Sequence, residues 1–318
     1  MSQPLPFVSV IIAVHPKITE VKSVAAAGKI DYPRDRFEII VARGDTIPAV
    51  KRNAALHGAK GKLVFFLDDD SVPRPGDLRR AVELFSDPAV KAVGGPNLCP
   101  PEAPELEHAF ALAMGNRLAF GPSAARYRSI GQRRPTSEKE LILCNMLARR
   151  EELLAVGGFD EKLYPNEENV LLDNIQKRGG TLLYDPEQVV FRRPRSTWGA
   201  FLRMLMTYGR GRAEQLRLHP SAGSILNLVP PAFCAYLVLL PFLPSWCMWP
   251  LLAYALLLLS QPFVTGPARL TAKLQLPILV GLSHLLYGLG FWRGLFTRPQ
   301  PGPSGVAANV RLDVIQSG

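Results

Sequence analysis

Residues Lys62–Leu78 read KLVFFLDDDSVPRPGDL. An apolar run, Leu63–Leu67, ends abruptly in three aspartates, Asp68, Asp69 and Asp70. A short, unbroken apolar run bounded by turn formers is the pattern of a strand buried on both faces. Carboxylates crowded at its end repel one another, which raises the question of what offsets the repulsion. Side chains alternate along a strand, so Asp68 and Asp70 point one way and Asp69 the other. Two hard oxygen ligands converging on one point suit Mg²⁺ or Mn²⁺, which take few protein carboxylates and leave room for phosphate oxygens. A turn with helix caps accounts for Asp69 and one neighbour, since Pro73, Pro75 and Gly76 follow. It gives no reason for three carboxylates to crowd the end of a buried strand.

Outward from this stretch, strands are expected at Phe7–Val14, Phe37–Val41, Leu63–Leu67, Ala89–Gly94 and Thr181–Tyr184. Helices are expected at Thr46–Gly58, Gly76–Phe85, Arg149–Val156 and Glu167–Arg178. The alternation predicts an α/β fold with helices on both faces of the sheet, and ligands at the carboxyl ends of its strands. The chain has 318 residues, 47% of them hydrophobic, and a formal net charge of +10. That balance calls for an anionic partner: nucleic acid, a membrane surface or a phosphorylated substrate. MSQPLPFVSVIIAVH has no basic n-region and reads as a buried strand, not a secretory leader. Cys99, Cys144, Cys234 and Cys247 form no C-x-x-C pair, so reduced thiols are expected in place of a zinc site or disulfide framework.

Near Pro220 the composition changes. Ile225–Val264 contains no charged residue and is long enough for two membrane spans of roughly 20 residues each. Pro241, Pro244 and Pro250 offer breaks, and Leu274–Trp292 is a third candidate. Trp246, Trp249 and Trp292 lie near the span ends, where indoles prefer the interface. Arg203, Arg210, Arg212 and Arg217 precede the first span and place its start on the cytoplasmic side. Arg269 and Lys273 fit that side after two spans; Arg293 and Arg298 do not if the third segment crosses, so the count stays at two or three. The division expected is a soluble domain over 1–220, a membrane region over 221–298 and a flexible tail over 299–318. The arginine-rich stretch from Phe191 leads directly into the apolar run without a nucleic-acid signature, which excludes nucleic acid as the partner. It reads as an interfacial helix on anionic lipid, with Trp198, Phe201, Leu202, Met204 and Leu205 on or near its apolar side.

A second acidic group lies in VGGFDEKLYPNEENVLLDN. Asn166 is a helix N-cap by residue type, and acids in the first turn, Glu167 and Glu168, favour the helix dipole. Taken together, FVSVIIAVH, RNAALHGAKGKLVFFLDDD and VGGFDEKLYPNEEN resemble an inverting family 2 glycosyltransferase of the GT-A fold over Phe7 to Leu216.

The resemblance implies roles. Val14 and His15 lie near the nucleotide base, with Asp45 as the nearby acid. Arg52 pairs with the diphosphate or an acid, or is a surface helix charge. The aspartates match the family's D-x-D: Asp68 and Asp69 on the donor side, Asp68 and Asp70 on the Mg²⁺ or Mn²⁺. Arg192 stands where the family often has a histidine ligand; a guanidinium cannot bind a metal but can contact phosphate. Glu168 is the general base, and Gly158, Asp160 and Glu167 lie on the acceptor side. Gln215-Leu216-Arg217 is not the Q-x-x-R-W of processive synthases, which implies addition of one sugar. The partners implied are a nucleotide-sugar donor and a lipid-linked or membrane-proximal glycan, with the catalytic domain facing the cytoplasm from the inner membrane. Two competing readings are a metal-dependent nucleotidyltransferase and a non-catalytic membrane scaffold or transport component. The first needs a Gly-rich nucleotide loop that AVHPKITE lacks; the second predicts no penalty for losing Asp70 or Glu168.

Overall fold

Val8, Val10, Ile12 and Val14 face one side of their strand and Ile11 the other, and all are buried. The same alternation recurs in the neighbouring strands, with Phe65 and Leu67 on the first side and Val64 and Phe66 on the second. A sheet buried on both faces is what such continuous apolar strands require. The computed structural model that shows this describes residues 5–220, 222–297 and 310–316.

The strands are β1 Val8–Val14, β2 Phe37–Arg43, β3 Leu63–Asp68, β4 Val72–Pro73, β5 Val90–Gly94, β6 Asn97–Leu98, β7 Arg134–Thr136, β8 Met146–Arg149, β9 Thr181–Tyr184, β10 Val190–Phe191 and β11 Arg311–Gln316. The helices are α1 Lys22–Ala27, α2 Pro48–Gly58, α3 Asp77–Glu83, α4 Glu105–Met114, α5 Arg117–Phe120, α6 Arg150–Ala155, α7 Glu167–Lys177, α8 Trp198–Leu218, α9 Val229–Leu239, α10 Trp249–Val264 and α11 Leu270–Phe296. All nine elements expected from the alternation are present, with ends shifted by up to two residues.

The chain divides into two compact units. The first comprises Met1–Leu98, Ala125–Arg192 and Gln300–Gly318. Its eight-stranded sheet runs β11-β2-β1-β3-β8-β5-β9-β7. β1 lies parallel between β2 and β3, while β8 is antiparallel to both β3 and β5. Residues of α1 and α3 fill one face, and residues of α2, α6 and α7 fill the other. A small sheet, β4-β10-β6, brings β10 beside the turn after β3. The second unit comprises Cys99–Ala124 and Arg193–Pro299, and holds α4, α5 and α8 to α11.

Three expectations change. The boundary near 220 is replaced by a division in which α4, α5 and α8 join the apolar helices. The flexible tail is corrected at Arg311–Gln316, which forms β11, antiparallel to β2, with Leu312 packed against the core; 298–309 lie outside the described residues. On α8, Phe201, Met204 and Leu205 are buried in protein and not turned to lipid, and Phe201 stacks on Phe110 of α4 with ring centroids 4.2 Å apart. Three helical segments are long and apolar enough to cross a membrane: Ile225–Phe242, Ser245–Val264 and Leu270–Phe296.

Candidate functional site

Asp68 is the last residue of β3, on the face that Phe66 shares with α2 and α7. It therefore meets what those helices carry. Arg52, on α2, donates from Nη2 to Asp68 Oδ1 at 3.1 Å and from Nη1 to Glu167 Oε1 at 2.7 Å. Arg52 and Glu167 are both buried. One guanidinium thus ties the end of β3 to the start of α7, joining the two acidic groups that the sequence holds about a hundred residues apart. Of the readings open for Arg52, the acid-pairing one is the geometry observed.

Arg192 supplies the second cation. Its Nη1 lies 2.9 Å from Asp68 Oδ2, and its Nε donates to Asp70 Oδ1 at 2.6 Å. Two arginines therefore offset the repulsion that the sequence poses. The pairing with Asp68 and Asp70 raises the Arg192 pKa further, against the opposing effect of burial. Asp69 is pushed up by burial, and also by Asp70 and Asp68, with Arg192 pulling down. Beneath them the Cys144 thiol is pushed up to about 12, chiefly by burial.

Asp68 and Asp70 contact the same guanidinium, so their carboxylates converge on a position that a cation occupies. Among the described residues no group of three or more His, Cys, Asp or Glu forms a metal cluster. Two carboxylates alone are a set of hard oxygen donors that Mg²⁺ or Mn²⁺ would need phosphate oxygens and water to complete.

The second acidic site is built on a strained turn. Asn166 precedes α7 at φ 91°, in the left-handed region. It occupies the expected N-cap position but makes no side-chain cap to the helix; its Oδ1 accepts from Asn169 Nδ2 at 3.2 Å. Burial pushes the Glu167 carboxyl up to about 7 although Arg52 opposes it, and Glu168 and Asp68 add to the rise. Glu168 faces Arg126, whose Nη1 lies 3.2 Å from Glu168 Oε1. Arg126 is itself fixed by the carbonyls of Glu138 and Lys139 and by Asn169 Oδ1, at 2.6–2.8 Å.

Asn53 clips the preceding loop in place. Its Oδ1 accepts from Phe159 N, and its Nδ2 donates to Phe159 O and Glu161 Oε1, each at 2.9 Å. Gly158, at φ 73°, leaves no room for a side chain: a Cβ there would lie 2.6 Å from Asn53 Oδ1. Asp160 Oδ1 accepts from Lys162 N at 2.9 Å, which caps a turn.

At the ends of β1 and β2, His15 Nε2 lies 3.4 Å from Asp45 Oδ1, both groups exposed. Val14 is fully buried, and its carbonyl accepts from Lys51 Nζ at 3.1 Å, so it offers a ligand no side-chain surface. Lys51 also donates to Gly44 O at 3.2 Å. Burial and the neighbouring Arg52 lower its pKa, while Asp69 and Asp45 raise it. Lys51 and Arg126 are absent from the sequence reading. Lys51 has a signal there, since it adjoins the Arg52-Asn53 pair; Arg126 has none.

A model described as "Glycosyltransferase like family 2" matches residues 1–206. The pre-mycofactocin glycosyltransferase of Mycobacterium tuberculosis is 28% identical over 213 residues, covering 60% of this chain and 40% of that protein. The succinoglycan biosynthesis protein ExoA of Rhizobium meliloti is 26% identical over 200 residues, covering 60% of this chain and 57% of that protein. The chain thus spans about half the length of these relatives. Among solved structures, the mannosyltransferase PcManGT from Pyrobaculum calidifontis, in complex with GDP-Man and Mn²⁺, superposes with a TM-score of 0.57 at 20% identity. That match covers 89% of this chain and 88% of PcManGT, and at this identity it speaks for the fold alone.

Proposed function

Because the chain belongs to glycosyltransferase family 2, we propose that it moves one sugar, with inversion, from a nucleoside-diphosphate donor to a lipid-linked or cell-surface glycan acceptor at a membrane. The observation that carries this reading is the double bridge of Arg52, which joins the Asp68 end of β3 to the Glu167-Glu168 start of α7. It supports a donor site and an acceptor site held in fixed register at the carboxyl edge of the sheet.

In this reading His15, Asp45 and the β1–β2 edge hold the nucleoside, with buried Lys51 bracing that edge through the carbonyls of Val14 and Gly44. Asp69 lines the donor side. Asp68 and Asp70 would hold Mg²⁺ or Mn²⁺, which would offset charge on the departing diphosphate. Arg192 swings from the aspartates to the phosphate oxygens, a bidentate contact its planar fork favours. Glu168 takes the proton from the acceptor hydroxyl as that oxygen bonds to the anomeric carbon from the face opposite the leaving diphosphate. Gly158, Asp160 and Glu167 shape the acceptor side, with Arg126 orienting Glu168. The catalytic unit faces the cytoplasm from the inner membrane, the side its flanking arginines favour.

The test is a donor screen by thermal shift with UDP-, GDP- and dTDP-sugars, each with and without Mn²⁺ or Mg²⁺, followed by a transfer assay with the donor that binds. One donor class should stabilise the protein in a metal-dependent way, and Asp70→Ala should remove the metal-dependent part. If no sugar nucleotide binds, or if Asp70→Ala transfers sugar normally, the assignment fails.

A further inference from the structure

Strand β11 constrains how the chain threads a bilayer. β2 precedes all three apolar segments and β11 follows them, yet the two are paired from Arg43↔Arg311 to Glu38↔Gln316. Strands paired in one sheet lie on one side of a membrane. The chain between them must therefore cross an even number of times, and three apolar segments cannot all span. Residues 298–309, RPQPGPSGVAAN, supply no fourth crossing, because they contain no apolar run and are far shorter than the roughly 20 residues a span needs.

Helix α11 is the segment that stays out. Its burial within the protein is 39%, against 11% for Ile225–Phe242 and 6% for Ser245–Val264. It lies in backbone contact with α8: a Cβ added at Gly209 would overlap the Tyr287 carbonyl, one at Gly290 the Met206 carbonyl, and one at Gly294 the Arg210 carbonyl. These contacts set the Met206–Arg210 stretch of α8 against the Tyr287–Gly294 stretch of α11. Arg217 extends the contact, donating to the carbonyls of Gly294 at 3.1 Å and Thr297 at 2.6 Å. From Met206 to Arg217 is roughly 16 Å of α8, in backbone contact at its start and bridged by the Arg217 side chain at its end. Along it α8 carries Arg210, Arg212, Glu214 and Arg217, charges too costly for the hydrocarbon core. The C-terminal half of α11 is thus held at the level of these charges, and Gly288 meets the first apolar segment near its start, at the Pro230 carbonyl. At its other end α11 meets charge again, where Arg269 and Thr271 bond Glu105 of α4.

The exposed side of α11 fits an interfacial position. Leu270, Leu274, Ile278, Leu289, Trp292 and Phe296 form one exposed apolar stripe at helical spacing, while Leu276, Val280, Phe291 and Gly294 are buried in protein. Flanking charge agrees independently. If α11 crossed, Arg293 and Arg298 would lie opposite Arg203, Arg210 and Arg212; if it does not, every one of these lies on one side. The hairpin turn at Leu243–Pro244 carries no charge.

We propose that the chain crosses the membrane twice, through Ile225–Phe242 and Ser245–Val264, and that α11 lies along the surface on the side of the β-sheet. This rests on the membrane attachment in the proposed function. The test uses full-length protein in sealed vesicles of both orientations and a membrane-impermeant maleimide, with Cys99→Ser as background. The reporters are native Cys247 beside the turn and, with Cys247→Ser, either Gly266→Cys or Ser304→Cys. Gly266→Cys and Ser304→Cys should label from one side and Cys247 from the other. Labelling of Ser304→Cys from the Cys247 side gives an odd count and overturns the proposal, and labelling of all three from one side overturns the crossing hairpin. Release of the protein by alkaline carbonate would refute the membrane attachment itself, a failure distinct from either pattern in retained protein.

Discussion

Replacing Arg52 with methionine removes a guanidinium and keeps much of the side chain's bulk. The arginine side chain is 9% exposed and the Glu167 side chain 5%, so water cannot take over the lost bonds. Removing one partner of a buried pair costs about 3–5 kcal/mol. Proton uptake limits the Glu167 share: its carboxyl already sits at about 7 with Arg52 present, and each further unit costs about 1.4 kcal/mol. The low end, about 3 kcal/mol, follows, or a fall of roughly 4–5 °C in Tm for a chain of 318 residues. Adding Glu167→Gln removes the stranded charge and should restore about 2 kcal/mol of that loss. The pH dependence has a definite sign. The folded pKa of Glu167 lies above its unfolded 4.5, so its contribution is present below 4.5 and lost as pH rises through about 7. Methionine moves the folded pKa higher, and below about 7 both folded proteins keep Glu167 protonated, so the deficit of Arg52→Met should be smallest and flat up to about pH 7 and grow as pH rises above it. Thermal unfolding of the four proteins in detergent across this range gives the double-mutant cycle. Single effects that add to within about 0.5 kcal/mol, or a deficit that ignores pH, would refute the bridge as the element joining the two acidic sites.

Three other outcomes are expected. Glu168→Gln should keep donor affinity and lose about 100-fold to 10,000-fold in kcat, checked by thermal shift beside a transfer assay. Gly158→Ala should cost about 1–3 kcal/mol in Tm shifts, because its Cβ displaces Asn53 and its φ is 73°. Gly157→Ala, with φ 88° and nothing within 4 Å, should cost only the backbone strain of about 1 kcal/mol. Deleting 310–318 removes a six-residue pairing worth about 3–6 kcal/mol at the net value of a backbone hydrogen bond, and light scattering should report association through the bared edge of β2.

The sheet was legible wherever burial on both faces produced unbroken Val, Ile and Phe runs, as in β1, β2 and β3. β8 escaped because four residues, MLAR, wedged antiparallel between β3 and β5, carry no period long enough to read. β11 has a readable alternation, VRLDV, but it follows a Pro- and Gly-rich stretch that reads as a tail. Asp68, Asp70, Glu167 and Glu168 stood out because acids at those positions are conspicuous. Their cationic counterparts did not: Lys51 and Arg126 look like surface charges until the fold buries them. The placement of Arg192 on the aspartates depends on β10 returning beside β4, a tertiary event no local pattern encodes.

The pairing of β2 with β11 also sets an order of events during synthesis. β2 leaves the ribosome early, but the strand that closes its edge emerges only after every apolar segment has been made. Throughout insertion, one margin of the catalytic sheet stays open to other strands. Docking of β11 follows the making of all three apolar segments, and it succeeds only if the intervening chain has returned to the side where it began. Misthreaded copies would keep a bare β2 margin, by which chaperones or proteases would tell them from correctly threaded protein.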